Sequence, residues 1–273
     1  EDENLRATVE KQKKIIENQN VTIQYLAAMT DVYIPEETEE DEDVQNFIEN
    51  EEIARLSEEK IEFFNVDGES IEKECKHIEW DIHAAEKGGY EHFMLKEMNE
   101  QPKTIRDTIS PRIKDGRIVI DELGMSDEEI RNINRIHIVA CGSAYHTGFT
   151  SKYIFEGMAR IPVEVDVASE FRYRNPILED GALVIIISQS GETADSLAAL
   201  RMAKERGVKT LGIVNVVGSS IAREADKVMY TWAGPEIAVA TTKAYSAQLI
   251  AQYLLAIKFA AARGRITDQE VEE

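Results

Sequence analysis

Between positions 188 and 193 the chain reads Ser188-Gln189-Ser190-Gly191-Glu192-Thr193, placing three hydroxyls and an amide around one glycine. The apolar run at 183–187 before it has the character of a buried strand, and residues 194–204 after it have helical composition and spacing. A strand that runs through hydroxyl-bearing residues into a helix builds an anion site. The first N–H groups of the helix lack internal partners, and its dipole favours negative charge there. The chemistry expected of Ser188, Gln189, Ser190 and Thr193 is therefore a grip on a phosphate. Taken alone, the segment also fits a simple helix cap with Ser190 capping and Thr193 solvated.

Two further loops supply candidates. Cys141-Gly142-Ser143-Ala144-Tyr145-His146-Thr147-Gly148 follows the apolar segment 136–140, and Gly142 would let the backbone turn sharply toward a ligand. Its glycines stand only at 142 and 148, which does not match the G-x-G-x-x-G spacing of a dinucleotide site. His146, one turn into the expected helix, fits a packed or surface residue better than an acid–base group, and Cys141 fits a structural thiol. The third loop, residues 233–245, turns at Gly234-Pro235. It carries Thr241 and Thr242, which could cap the next helix or donate to sugar oxygens, and Lys243, which reads as a solvated surface residue.

These loops need a scaffold that brings strand ends together. From Arg135 onward, strands are expected near 136–140, 163–167, 183–187, 209–214 and 227–231. Helices are expected near 144–159, 192–206 and 240–263, with shorter turns elsewhere. Val- and Ile-rich strands separated by helical crossovers imply a doubly wound parallel five-stranded α/β sheet, with ligands at the carboxyl ends of the strands.

The preceding residues differ in character. Leu5, Val9, Gln12, Ile16, Gln19, Ile23 and Leu26 trace a weak heptad seam over 4–30, which suits either a short coiled coil or a lone amphipathic helix. The acidic stretch beginning Pro35-Glu36-Glu37 reads as a linker over 35–52, and it lacks the ligand spacing of a calcium loop. Asp67-Gly68 between 61–66 and 70–74 signals a hairpin. Gly88-Gly89 precedes a helical stretch from Tyr90 to Ile109, with a break or fresh start expected near Pro102.

The 273 residues carry a net charge of −21, and residues 1–60 alone hold 18 Asp/Glu against 6 Lys/Arg. That balance argues against a nucleic-acid partner, and a bound phosphate must rely on local donors rather than the global field. No apolar run approaches a membrane span, and no basic-then-apolar leader opens the sequence. Two cysteines, Cys75 and Cys141, suggest neither a disulfide framework nor a metal set, so a cytoplasmic location without metal or cofactor is expected.

The three loops, with Ala168-Ser169-Glu170-Phe171-Arg172-Tyr173-Arg174, His92-Phe93-Met94-Leu95-Lys96-Glu97 and Glu100-Gln101-Pro102, resemble the glucosamine-6-phosphate synthase family, the isomerising glutamine–fructose-6-phosphate aminotransferases. The resemblance covers roughly 52–263. It implies a flavodoxin-like sugar isomerase (SIS) domain at 135–264, an interdomain helical segment at 89–134 and a β remnant of a glutaminase domain at 53–88, while the amphipathic helix and acidic linker at 1–52 lie outside it. It further implies that Ser188, Gln189, Ser190 and Thr193 bind a hexose phosphate while Val239 and Thr241 line the sugar. Where the family has a Thr-Ser pair whose Ser contacts the ligand, this chain has Ser143-Ala144, leaving Ser143 as the donor. No catalytic residue is carried over. The family's amino-terminal Cys nucleophile and second isomerase subdomain have no counterpart in these residues, so a fragment that binds without turning substrate over is expected. Pairing through the SIS domain as a homodimer is also implied. The competing reading is a non-catalytic SIS-domain sensor of sugar phosphates.

Overall fold

The computed structural model describes residues 31–33, 44–47, 52–56, 61–65, 67–72, 76–77, 86–114 and 116–272. The helix expected over 4–30 and the acidic run 35–43 lie outside them. The chain divides into two units, Glu1–Glu86 and Lys87–Glu273.

In the first unit, strand Glu52–Leu56 pairs antiparallel with Ile61–Asn65, which pairs with Ser70–Ile71. The hairpin turns where Asp67-Gly68 predicts it. Gly68 takes φ +80°, a left-handed value suited to glycine, and Asn65 Oδ1 accepts the Glu69 N–H at 2.9 Å. A second sheet joins Asp31–Tyr33, Val44–Phe47 and Lys76–His77. Val44–Phe47 is thus a strand inside the stretch read as linker. The acidic run stops at Asp43, and backbone pairing on both sides satisfies residues 44–47 as a ladder.

The second unit opens with helix α1, Phe93–Ile109. It runs through Pro102 without a break. Proline there leaves the Met98 carbonyl without its helical N–H, and Gln101 Nε2 donates to that carbonyl at 3.2 Å instead. A small hairpin, Ile113–Lys114 with Arg117–Ile118, and helix α2, Asp127–Arg131, lead to the sheet. Its strands are β1 (Arg135–Ala140), β2 (Val163–Val167), β3 (Ala182–Ser188), β4 (Lys209–Val214) and β5 (Lys227–Tyr230). All pairs are parallel, in the order β2-β1-β3-β4-β5. Helices α3 (Gly142–Ile154), α4 (Ala168–Tyr173), α5 (Ala194–Glu205), α6 (Ser220–Glu224), α7 (Lys243–Ala262) and α8 (Asp268–Glu272) follow in chain order.

Successive strand residues point to opposite faces, so β1, β3 and β4 each serve two cores. Ile136, Ile138, Leu183, Ile185, Leu211 and Ile213 pack with Leu254, Leu255 and Phe259 of α7. Val139, Val184 and Ile186 pack with Phe171 of α4 and Ala199, Leu200 and Ala203 of α5. Every residue of β3 is buried, as its unbroken apolar run predicts for a strand covered on both faces. Arg112, almost wholly buried, donates to the Thr108 carbonyl of α1, the Tyr230 carbonyl of β5 and Glu122, tying α1 to the end of the sheet. Among the described residues no helix is long and apolar enough to cross a membrane.

Helix α3 lies close on the sheet because Gly148 has no side chain. A Cβ there would stand 2.9 Å from both Ile138 Cγ2 and Val165 Cγ1. Replacing a helical glycine by alanine gains about 1 kcal/mol in propensity, while overpacking a tight core costs about 1–3 kcal/mol. The second effect wins, so Gly148→Ala is expected to lower the midpoint of denaturant unfolding; a raised midpoint would contradict this packing. Acid stability has a visible source in α2. Glu129 completes a capping box with Ser126 and accepts from Lys209 Nζ at 2.7 Å. The Lys209 bond, then those from Ser126, hold its pKa at about 2. The unfolded carboxylate takes its proton near pH 4.3, so below that pH the unfolded state binds more protons and stability falls toward pH 2. The Glu129 side chain is half-exposed, so solvent screening keeps the contribution small. In Glu129→Gln the loss of unfolding midpoint between pH 5 and pH 3 should be smaller than in the parent; an equal loss would remove Glu129 from the account.

Candidate functional site

Strand β3 ends at Ser188, which is 3% exposed, and α5 begins at Ala194. The intervening loop is shaped by Gly191, which sits at φ +70° against the segment after β4. A Cβ on Gly191 would stand 2.0 Å from Ser219 Oγ and 2.5 Å from Ser219 Cβ, so no side chain fits there. Backbone and side-chain bonds lock the contact: Asn215 N–H to the Gln189 carbonyl (3.1 Å), Ile221 N–H to the Gly191 carbonyl (3.0 Å) and Ser220 N–H to Glu192 Oε1 (2.6 Å).

Within this frame the hydroxyls turn inward. Ser188 Oγ accepts the Gly191 N–H at 3.0 Å and lies 2.9 Å from Thr193 Oγ1; Ser190 Oγ accepts the Glu192 N–H at 3.2 Å. The Ser190 oxygen is therefore placed by the backbone, and its own O–H remains a donor. Thr193 is the N-cap of α5, yet its side chain makes no capping bond, so the first-turn N–H groups stay available to an anion. Both acidic side chains of the region are engaged elsewhere. Glu192 takes the Ser220 N–H, and Asp195 is paired at 2.7 Å with Arg172 from the helix after β2.

Ser143 belongs to α3, which follows β1. Ala140 and Ile187 are register partners, so the start of α3 and the 188–193 loop leave neighbouring strands at the same level. The strand order reverses between β1 and β3, which makes this the crevice where open α/β sheets take ligands. Gly142 turns at φ +55°, Ser143 is exposed in the first turn of α3, and half-buried Cys141 lies 3.9 Å from Ser196 Oγ. His146 is exposed and edge-on to Tyr145.

Val239 and Thr241 lie in the third loop, which follows β5 at the same carboxyl edge of the sheet. Asn215 anchors its start, accepting the Ala233 N–H at 2.7 Å and donating to the Gly234 carbonyl at 2.8 Å. The entry to α7 is capped by Glu236 rather than by the threonines: its carboxylate accepts from Thr241 Oγ1 (2.8 Å), Thr242 N–H (2.9 Å) and Ala244 N–H (3.1 Å). Lys243 corrects the surface reading. It is 2% exposed and bonds Glu100 of α1 at 2.6 Å, because α1 places a carboxylate over the start of α7. Glu97 of α1 accepts the Ile237 and Ala238 N–H groups at 2.6 and 3.0 Å. Burial is the largest cause of its raised pKa, opposed by those two bonds. Neither Glu236, Glu97 nor Asn215 stands out as a site residue in sequence. The only available signal is an acidic residue inside an otherwise loop-forming segment and a polar one at a strand end.

The candidate metal ligands among the described residues are His137, Glu164 and Asp166, whose ligand atoms lie within 4.8 Å of one another. Both carboxylates already serve guanidiniums: Arg174 bonds Asp166 at 3.0 and 2.7 Å, and Arg135 bonds Glu164 at 3.0 Å. The trio is charge-matched without a cation, and the buried His137 is held toward its neutral form chiefly by desolvation.

Residues 129–258 match the SIS domain family. Over 228 residues the chain is 58% identical to the glutamine–fructose-6-phosphate aminotransferase [isomerizing] of Clostridium acetobutylicum, covering 83% of this chain and 38% of that protein. It is 56% identical to that of Caldanaerobacter subterraneus with the same coverage. Among solved structures, the C-terminal domain of glucosamine-fructose-6-phosphate aminotransferase from Francisella tularensis superposes with a TM-score of 0.66 at 43% identity, covering 68% of this chain and 53% of that one. The chain thus spans well under half the length of the curated relatives it matches. By fold and by sequence residues 129–258 are a SIS domain, and 83% of the chain is similar to isomerising glutamine–fructose-6-phosphate aminotransferases.

Proposed function

We propose that the chain binds a hexose phosphate, fructose 6-phosphate or glucosamine 6-phosphate, as the first isomerase subdomain of a glutamine–fructose-6-phosphate aminotransferase. The observation that carries this reading is the hydroxyl-bearing turn that leads into α5, with Ser190 Oγ already oriented by the Glu192 N–H. A phosphate monoester brings up to two negative charges to a chain of net charge −21. Only donors at contact distance can outweigh that background. Ser188, Gln189, Ser190, Thr193 and the first-turn amides of α5 meet the phosphate, Ser143 approaches from the first turn of α3, and Val239 and Thr241 line the sugar.

In this reading residues 135–264 are the binding domain, 89–134 the interdomain helical segment and 53–88 the end of a glutaminase domain. The parent reaction moves the amide nitrogen of glutamine onto fructose 6-phosphate, yielding glucosamine 6-phosphate and glutamate in amino-sugar synthesis. The residues assigned here grip the substrate and carry no proton transfer, so the 273-residue polypeptide binds without turning over. It works in the cytoplasm and pairs with a second copy through the SIS domain. Identity of 58% to an aminotransferase favours this reading over a stand-alone sensor.

Fructose 6-phosphate at a hundred times its Kd should add about 2.7 kcal/mol to the stability of the polypeptide, read as a raised unfolding temperature. Ser190→Ala loses a hydrogen bond to a charged group, worth about 1.5–3 kcal/mol, and should weaken binding about ten- to a hundredfold. A nucleotide that stabilises more than the sugar phosphate, or glucosamine 6-phosphate formation by the polypeptide alone, would contradict the respective halves of the reading.

A further inference from the structure

Helix α1 lies outside the residues that match the SIS family, yet it presents a polar strip to the third loop. Glu97 is 1% exposed, and its Oε1 accepts both the Ile237 and Ala238 N–H groups. Its Oε2 is buried without a hydrogen-bond partner. One turn on, Glu100 bonds Lys243, and Gln101 Oε1 accepts from Ser246 Oγ at 2.6 Å. From within the loop, Glu236 holds Thr241, Thr242 and Ala244. Two buried carboxylates therefore fix the backbone on either side of Val239 and Ala240, which are exposed.

We propose that Glu97 is a positioning residue for sugar recognition: by holding the Ile237 and Ala238 amides it sets the placement of Val239 and Thr241. The inference rests on the hexose-phosphate reading above. Burying a carboxylate is costly and weakens folding unless its bonds repay the desolvation. A leucine at 97 would pack in an apolar setting but would leave two amides without an acceptor. What Glu97 supplies is the conformation of a loop whose outward residues point away from the core. The phosphate loop at 188–193 makes none of these bonds, so the two parts of the ligand are held by separable devices.

The full 273-residue chain, with Glu97 as parent, Asp, Ala or Gln, is titrated calorimetrically with fructose 6-phosphate and separately with inorganic phosphate. Asp keeps the charge but withdraws the acceptor by one methylene, which guards against an Ala variant that fails to fold. Gln keeps an oxygen able to accept both amides. Asp and Ala should weaken fructose 6-phosphate by at least about tenfold and change inorganic phosphate by less than about twofold, whereas Gln should stay within about threefold of the parent for both. Amide exchange of Ile237 and Ala238 should quicken in Asp and Ala while Ile185 and Ile186 stay protected. The proposal is overturned if Asp and Ala keep fructose 6-phosphate affinity, if both ligands weaken in parallel, or if Gln is as weak as Ala. A parent chain that binds neither ligand overturns the hexose-phosphate reading instead, and the exchange rates then still decide whether Glu97 holds the loop.

Discussion

The close approach of Gly191 to Ser219 is the contact on which the site depends. It brings the turn after β3 against the segment after β4 at a distance that no side chain allows. Once the backbone is held there, the rest follows locally. The Gly191 N–H reaches Ser188 Oγ, the Glu192 N–H reaches Ser190 Oγ, and α5 starts with its first amides unspent. Positive φ and close packing at one glycine thus convert a generic strand-to-helix turn into a preorganised set of donors.

Charge gives this arrangement its purpose. The molecule is strongly acidic, and an anion has little to gain from its long-range field. The structure answers by occupying nearby carboxylates. Asp195 is paired with Arg172, Glu192 is bound by the Ser220 amide, and Glu236 and Glu97 accept backbone N–H groups in the third loop. Acidic side chains that would repel a phosphate ester serve as internal fasteners, and the Ser190 O–H and the first-turn amides of α5 remain as donors. The same economy explains Lys243, whose charge is spent on Glu100 rather than on a ligand.

How much of this could be read in sequence depends on the range of the interaction. β1, β3 and β4 were legible to within a residue or two because both of their faces are covered, so they read as near-continuous apolar runs. The loop at 188–193 was legible because its signal, strand then hydroxyls then helix, is entirely local. The short helices α2, α4 and α6 carry five or six residues and too little periodicity to announce themselves. Lys243 and Glu97 were illegible for another reason. Their partners lie about 140 residues away, and only the packing of α1 beside α7 brings them together. Pro102 looked like a break because its cost is local, while the compensating Gln101 bond exists only once the helix has formed.

A crystal of the 273-residue chain grown with saturating fructose 6-phosphate tests the central claim most directly. Phosphate oxygens are expected within about 2.7–3.2 Å of Ser190 Oγ and the first-turn amides of α5, with the sugar extending toward Val239 and Thr241. Ligand bound elsewhere, or a turn after Ser188 whose hydroxyls stay bonded only to their own backbone at saturation, would contradict it.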